Sequence, residues 1–499
     1  MKALVLLPLL CCCSPQAAEL TVANGPEIDS FDPQLATSAG AVRLLGAVFD
    51  RLTAIEAATG KLVPQLAESW TSSNQNRHWS FALRSDAVWS DGSPLTPSDV
   101  ISSWKRLQEP STAAPYADWL GGAQITSSGQ RIDVVFSTPQ PLFATYCSYH
   151  ALAPIPPELR NSPPGTFPED MRYSGKYKII SHRIRDCTKL AINELHADYS
   201  PDSFKTIDFL CVDSHWTALN LFLDEQVDFI GQVPQLAIEK LQNEYPDALT
   251  ITPSFATYFI RLQQDSPSVF ANKNLRKALS LAIDRKKLVQ IIKGGRRPAY
   301  GLVPDGITDY LPPTNSISFS AETAESALQL ALTELGVSAL QLDYLYPASE
   351  LNRAIAEFLQ QQWKEVLGLE ITLNQLEAKS FFVLQSKGDY QLSHSTWIGD
   401  YYHPFTFLEL FQSGHRNNRS FFSNKQYDKL IATSQLSVNP TECLQLLSAA
   451  EQVLLNEYAI IPLCFDSNLQ LLRQNILGHK ANKFGIIEWH KLRKKQNDD

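Results

Sequence analysis

The chain has no excess of basic charge: 43 Lys and Arg face 52 Asp and Glu, a formal net charge of −9. That argues against nucleic-acid binding, which relies on a basic face or stripe. Its basic clusters, Arg285 to Lys287, Lys293 to Arg297 and Lys491 to Lys495, are short and read as solvated helix ends or a tail. No apolar run approaches the ~20 residues that cross a bilayer as a helix, so no transmembrane helix is expected. G-x-S-x-G, H-E-x-x-H and phosphate-loop motifs are missing, and no serine or histidine has a triad context, so an enzyme is not expected. Internal repeats and low-complexity tracts are absent too. With 44% hydrophobic and only 19% charged residues, the composition is that of an ordered protein. A chain of 499 residues can bury a large core and should divide into two or more domains.

Cysteine is sparse and scattered. Cys147, Cys187, Cys211, Cys443 and Cys464 form no C-x-x-C pair and no zinc spacing. They read as small buried hydrophobes with one disulfide at most. Cys11, Cys12 and Cys13 differ, because they follow Lys2 and a short apolar run. A positive charge followed by such a run makes residues 1–12 a signal peptide. The cysteines suggest the lipoprotein type, in which a cysteine carries the lipid. Cys12 is the first choice, with Cys13 and Cys11 as alternatives; ordinary cleavage near Ala17-Ala18 is the competing reading. Several acyl chains would anchor the protein stably, whereas one holds only marginally.

What the chain does have is a distinctive stretch from Trp79 to Asp99. Trp79, Phe81 and Leu83 alternate as on a half-buried strand. Asp91-Gly92 signals a tight turn. Thr96-Pro97-Ser98-Asp99 then supplies a cap, a proline at the first helical position and an acid in the first turn. Leu20 to Ala23 and Ser174 to Ile180 read as strands, Ala39 to Phe49 and Leu219 to Gln226 as helices, and Val227 to Ile230 as a strand. The prolines between Pro139 and Pro168 predict a segment wandering over a surface. Leu275 to Lys293 reads as one amphipathic helix stopped by Gly294-Gly295, Ala321 to Leu335 as a second stopped by Gly336, and Ser349 to Leu367 as a third stopped by Gly368. Strands at Leu340 to Tyr346 and Leu369 to Leu373 alternate with them, so 261–473 reads as an α/β domain with a mixed or parallel sheet.

Several segments in order resemble the peptide/nickel family of extracytoplasmic solute-binding proteins, family 5, and most closely its oligopeptide-binding branch. They are Ser30-Phe31-Asp32-Pro33, Leu66 to Trp70 with the Trp79–Asp99 stretch, Ser174 to Tyr177, a degenerate Asn193 to Tyr199, and Asn274 to Arg285. The resemblance covers essentially the whole chain from Thr21. It implies an α/β fold of the periplasmic-binding-protein-like type II class, with mixed sheets, two lobes around a ligand cleft and an extra third domain. On that reading 13–50, 171–260 and 474–499 form a discontinuous lobe I, 51–170 the extra domain II, and 261–473 lobe II. Short peptides would be enclosed between the lobes by hinge closure and passed to the permease subunits of an ABC transporter in the inner membrane. A monomer is expected, in the periplasm or outside the cytoplasmic membrane. A dipeptide, a cell-wall peptide, nickel or another small solute is an alternative cargo, and a surface-interaction protein without transport is a third reading.

In the same family the aspartate of a Trp-x-x-Asp-Tyr stretch holds the free amine of the peptide, a role that falls here to Asp400 in Trp397-Ile398-Gly399-Asp400-Tyr401. An ammonium enclosed between lobes needs a fixed anion. Trp397 and Tyr401 would line the cavity beside it. By the same resemblance Tyr258, Phe259, Tyr116, Trp119 and Glu27 are candidate ligand contacts. The chain departs from the family just after Phe259, where Arg261-Leu262-Gln263 replaces a polar F-N. His394 and His403 do not make a metal site, and no metal or cofactor is expected.

Overall fold

Trp79, Phe81 and Leu83 turn one face of the His78–Leu83 strand into the core, while His78, Ser80 and Ala82 point outward. The computed structural model describes residues 19–163, 170–265, 267–314, 317–480 and 482–495. The signal peptide and its candidate cysteines, Cys11, Cys12 and Cys13, lie outside the described residues. The His78–Leu83 strand pairs within a four-stranded antiparallel sheet with Ala67–Ser73 and Arg131–Val135, and Gln124–Ser128 lies at the far edge. The Asp91 carboxylate then accepts the Ser93 N–H at 2.9 Å, and Gly92 takes φ +85°, the left-handed turn conformation that glycine tolerates. The helix Pro97–Gln108 begins where Thr96 donates its N–H and hydroxyl to Asp99, at 3.0 and 2.8 Å. On that helix Trp104 is fully buried and Arg106 reaches back to the buried Asp32 at 2.7 Å. The Asp32-Pro33 motif therefore ties the first segment of the chain to this unit.

The main sheet has eleven strands: β1 (Leu20–Ala23), β2 (Tyr177–Arg183), β3 (Cys187–Ile192), β4 (Thr206–Leu210), β5 (Phe229–Ile230), β6 (Leu249–Leu262), β7 (Arg297–Pro298), β8 (Leu342–Pro347), β9 (Ile371–Leu376), β10 (Leu392–Ile398) and β11 (Ile460–Leu472). Their order is β9-β8-β10-β6-β11-β5-β1-β4-β3-β2, with β7 paired to β11. β8 runs parallel to β9 and β10, while β6 is antiparallel to β10 and β11. The sheet is mixed and serves two lobes. Ile260 and Leu262 of β6 and Ile461 and Leu463 of β11 pack into one core with the helices at Lys273–Leu281, Ala321–Leu335 and Glu350–Leu367. Leu471, at the other end of β11, joins a separate cluster with Ala23 and Phe222. Between these ends the β6–β11 ladder slips: Pro253 pairs with Ser467 and Thr257 with Phe465, which leaves Ser254, Phe255 and Ala256 opposite Asp466.

Three expectations are corrected. Leu275 to Lys293 is two helices, Lys273–Leu281 and Arg285–Ile292, because Asp284 accepts the N–H groups of Lys286 and Lys287 at 3.0 and 3.1 Å and caps a fresh start. Arg285 is not a solvated helix end; it is buried and donates to the carbonyls of Pro462, Ser280 and Ile317. The proline-dense stretch does not wander over a surface: Phe143, Tyr146, Cys147, Leu152 and Ile155 are buried. There the prolines chop the chain into short helical turns without keeping it out of the core. All five described cysteines are free, four of them buried.

Candidate functional site

The β10 strand ends at Ile398, and the next residue has to be small. A Cβ at Gly399 would lie 2.3 Å from the Phe255 ring, and the Gly399 N–H donates to the Phe255 carbonyl at 2.9 Å. The chain then turns, with the Asp400 N–H on Thr406 Oγ1 at 3.2 Å, into the short helix Phe405–Leu408. This fixes Asp400 at a strand end, facing a cavity of about 1900 Å³.

Asp400 touches two hydroxyls. Tyr149 donates to its Oδ1 at 3.4 Å and Tyr116 at 3.5 Å, and the two tyrosine oxygens lie 3.0 Å apart. Burial raises the carboxyl to about 6; these two hydrogen bonds and the charge of Arg416 only partly oppose it. Among the described residues Asp400 has no ion-pair partner. Behind it, Tyr401 is buried and donates to Glu409 Oε1 at 3.1 Å. Burial, with the Asp400 charge adding to it, pushes Glu409 up to about 8, so of the two acids Asp400 ionises first.

The surroundings are aromatic. Trp119 stacks on Tyr146 at 4.7 Å, and the edges of Trp119 and Tyr146 meet Tyr401 at 6.0 and 5.0 Å. These rings come from segments far apart in the sequence and pack into one hydrophobic core. Trp397, half buried on β10 opposite Thr257, lines the cavity, and its Nε1 has no hydrogen-bond partner among the described residues.

Of the eight expected ligand contacts, Asp400, Trp397, Tyr401 and Tyr258 line the cavity. Tyr116 reaches Asp400 from behind the lining, and Trp119 forms the layer beneath Tyr401. Phe259 is fully buried against Phe411, on the opposite side of β6 from Tyr258. Glu27 borders a separate small surface depression and accepts the Arg185 N–H at 2.5 Å. Tyr149, Glu409, Arg261 and Arg419 went unrecognised as site residues. Arg261 carried a signal, as the departure after Phe259; Tyr149 lay hidden in the proline-dense stretch. Burial lowers His394 and His403 to about 4, and no cluster of three metal-ligating side chains occurs among the described residues.

Residues 61–419 match the family model for bacterial extracellular solute-binding proteins, family 5 (middle region). The chain is 28% identical over 480 residues to the periplasmic murein peptide-binding protein MppA of Escherichia coli, covering 91% of this chain and 88% of that protein. It is also 28% identical over 486 residues to the periplasmic oligopeptide-binding protein OppA of Salmonella typhimurium, with the same coverage of 91% and 88%. Its fold superimposes on the solved structure of the Escherichia coli murein tripeptide binding protein with a TM-score of 0.85, at 24% identity, over 97% of this chain and 99% of that one.

Proposed function

The chain belongs to the bacterial extracellular solute-binding proteins of family 5, and from that premise we propose that it captures short peptides between its lobes and delivers them to an ABC-transporter permease. The observation that carries the peptide reading is Asp400: a half-buried carboxylate with no ion-pair partner among the described residues, at a strand end, facing a large cavity. A peptide ammonium supplies the missing charge, and a charge-assisted hydrogen bond of this kind contributes about 1.5–3 kcal/mol. Trp397, with its unpaired Nε1, and Tyr258 offer donors to the peptide backbone, while Tyr116 and Tyr149 hold the carboxylate in place. A large cavity accommodates side chains loosely through water.

The remaining assignments belong to the same proposal. Residues 51–170 form the extra domain and 261–473 the second lobe, and the slip at Pro253–Thr257 marks the hinge. The protein acts as a monomer in the periplasm, or outside the cytoplasmic membrane, held by lipid on Cys12.

Native mass spectrometry of the purified, lipid-free protein, intact and after gentle denaturation, tests the reading. A mixture of short peptides is expected to co-purify with the wild type and to be largely lost from Asp400→Ala. Peptides retained by both would remove Asp400 as the amine anchor. A single non-peptide mass would replace the peptide reading with a specialised carrier.

A further inference from the structure

The two hydrophobic cores that share the main sheet are also joined by a bond outside it. The helix His215–Leu223 follows β4 and packs Ala218, Leu219 and Phe222 into the cluster that contains Leu471. The helix Glu350–Leu367 follows β8 and packs Ile355, Ala356 and Leu359 into the core that contains Ile260 and Ile461. In the sheet β8 and β4 stand six places apart, with β10, β6, β11, β5 and β1 between them. At the usual strand spacing that is roughly 29 Å along the sheet. Yet Trp216 Nε1, on the first helix, donates to Glu350 Oε1, on the second, at 2.8 Å. Both residues line the cavity, so the bond is made across it.

Each partner is fixed at the start of its own helix. Ser349 caps the helix of Glu350 by accepting the Asn352 N–H at 3.0 Å, and Ser214 caps that of Trp216 by accepting the Thr217 N–H at 3.3 Å. The Glu350 carboxylate thus lies between two partially positive helix starts. Trp216 is 42% exposed and belongs to neither core, so packing does not account for its position. Other bonds between elements of the two cores lie at the pivot. Glu239, on the helix of Leu241, pairs with Lys293, and Gln235 Oε1 accepts from Arg296 Nη1 at 3.2 Å. Arg296 in turn pairs with Asp466, which stands opposite the slip in β6. Rotation about the slip moves those groups little and separates Trp216 from Glu350 far more.

We infer that Trp216 and Glu350 form a latch that draws the lobes together without help from the cargo. The bond joins two protein side chains, so it favours the closed arrangement whatever the cavity holds. It sets the ratio of closed to open molecules before a ligand arrives, and it prolongs the stay of whatever is enclosed. A large cavity makes such a constant contribution useful, because a loosely fitting ligand draws the lobes together only weakly. The inference rests on the hinge placed at the slip and is independent of the nature of the cargo.

Small-angle X-ray scattering of the ligand-stripped protein and stopped-flow binding of tetraalanine test it. Trp216→Phe keeps an aromatic ring and deletes the donor; Glu350→Ala deletes the acceptor. Each is expected to lower the closed-to-open ratio of the ligand-free protein by about fivefold. Each should also speed tetraalanine release by about fivefold without slowing association. The double variant is expected to match either single variant, because both substitutions delete the same bond. An unchanged ratio in either single variant overturns the latch and leaves the hinge standing. So does a ligand-free wild type found only in the open form, or a double variant whose effect is the sum of the two. One and the same scattering profile with and without bound tetraalanine, in the wild type and both variants, overturns hinge and latch together. Failure of tetraalanine to bind counts against the peptide reading alone, and the scattering ratio then decides the latch.

Discussion

At one end of the cavity a carboxylate sits among aromatic rings and touches two tyrosine hydroxyls at 3.4 and 3.5 Å; at the other a guanidinium is fastened to Ser395 and Asn417 at 3.0 and 3.1 Å. The long hydroxyl contacts do not offset burial, so Asp400 is raised to about 6, within reach of physiological pH. Burial lowers Arg261 as well, to about 10, but an arginine starts so high that it keeps its charge. Burial therefore makes the acid end adjustable and leaves the basic end constant. An adjustable anion responds to whichever cation arrives.

The largest break in that contrast is Asp400→Asn, which keeps the shape and deletes the charge. Calorimetry with a free-amine peptide is expected to show a loss of about 2–5 kcal/mol, the usual consequence of truncating a buried charge pair. Next comes pH. On the proposed reading the amine needs an ionised Asp400, and the empty site binds a proton up to about pH 6, so affinity should fall as pH falls. Between pH 7 and 5 the loss should be about tenfold, absent in Asp400→Asn and unchanged in Arg419→Gln. A flat profile in the wild type would mean that Asp400 is not the titrating anchor. The smallest effect sharpens the acid end. Glu409, raised to about 8, is already protonated at neutral pH, so Glu409→Gln should change peptide affinity at pH 7 by less than about threefold. Because Glu409 carries no charge across the acid limb, that limb should stay where it is in Glu409→Gln.

Asp400 was legible because its neighbours form a compact local pattern, Trp397 through Tyr401, that the family resemblance reads directly. Phe259 was misplaced for a simple reason: adjacent strand residues face opposite ways, so Tyr258 on the cavity puts Phe259 in the core. Tyr149 and Glu409 act through contacts that span 251 and 8 positions, with Asp400 and Tyr401 respectively. Neither contact leaves a motif. The break after Leu281 was invisible to periodicity because the apolar face continues through it and the decisive event is a side-chain cap at Asp284. The α/β alternation after residue 320 was clear, since Ser320 and Ser349 cap the two long helices and Gly336 and Gly368 end them in left-handed geometry.

The long strands β6 and β11 have a consequence for how the molecule can come apart. β6 supplies Ile260 and Leu262 to one core, and its first residues, from Leu249, pair with the far end of β11, whose Leu471 belongs to the other. The lobes share a backbone ladder instead of merely abutting. Excising residues 261–473 would leave most of β6 behind and take away the end of β11 that pairs with β5. Heat should therefore melt the two together, and a guest gripped by both stabilises one cooperative whole.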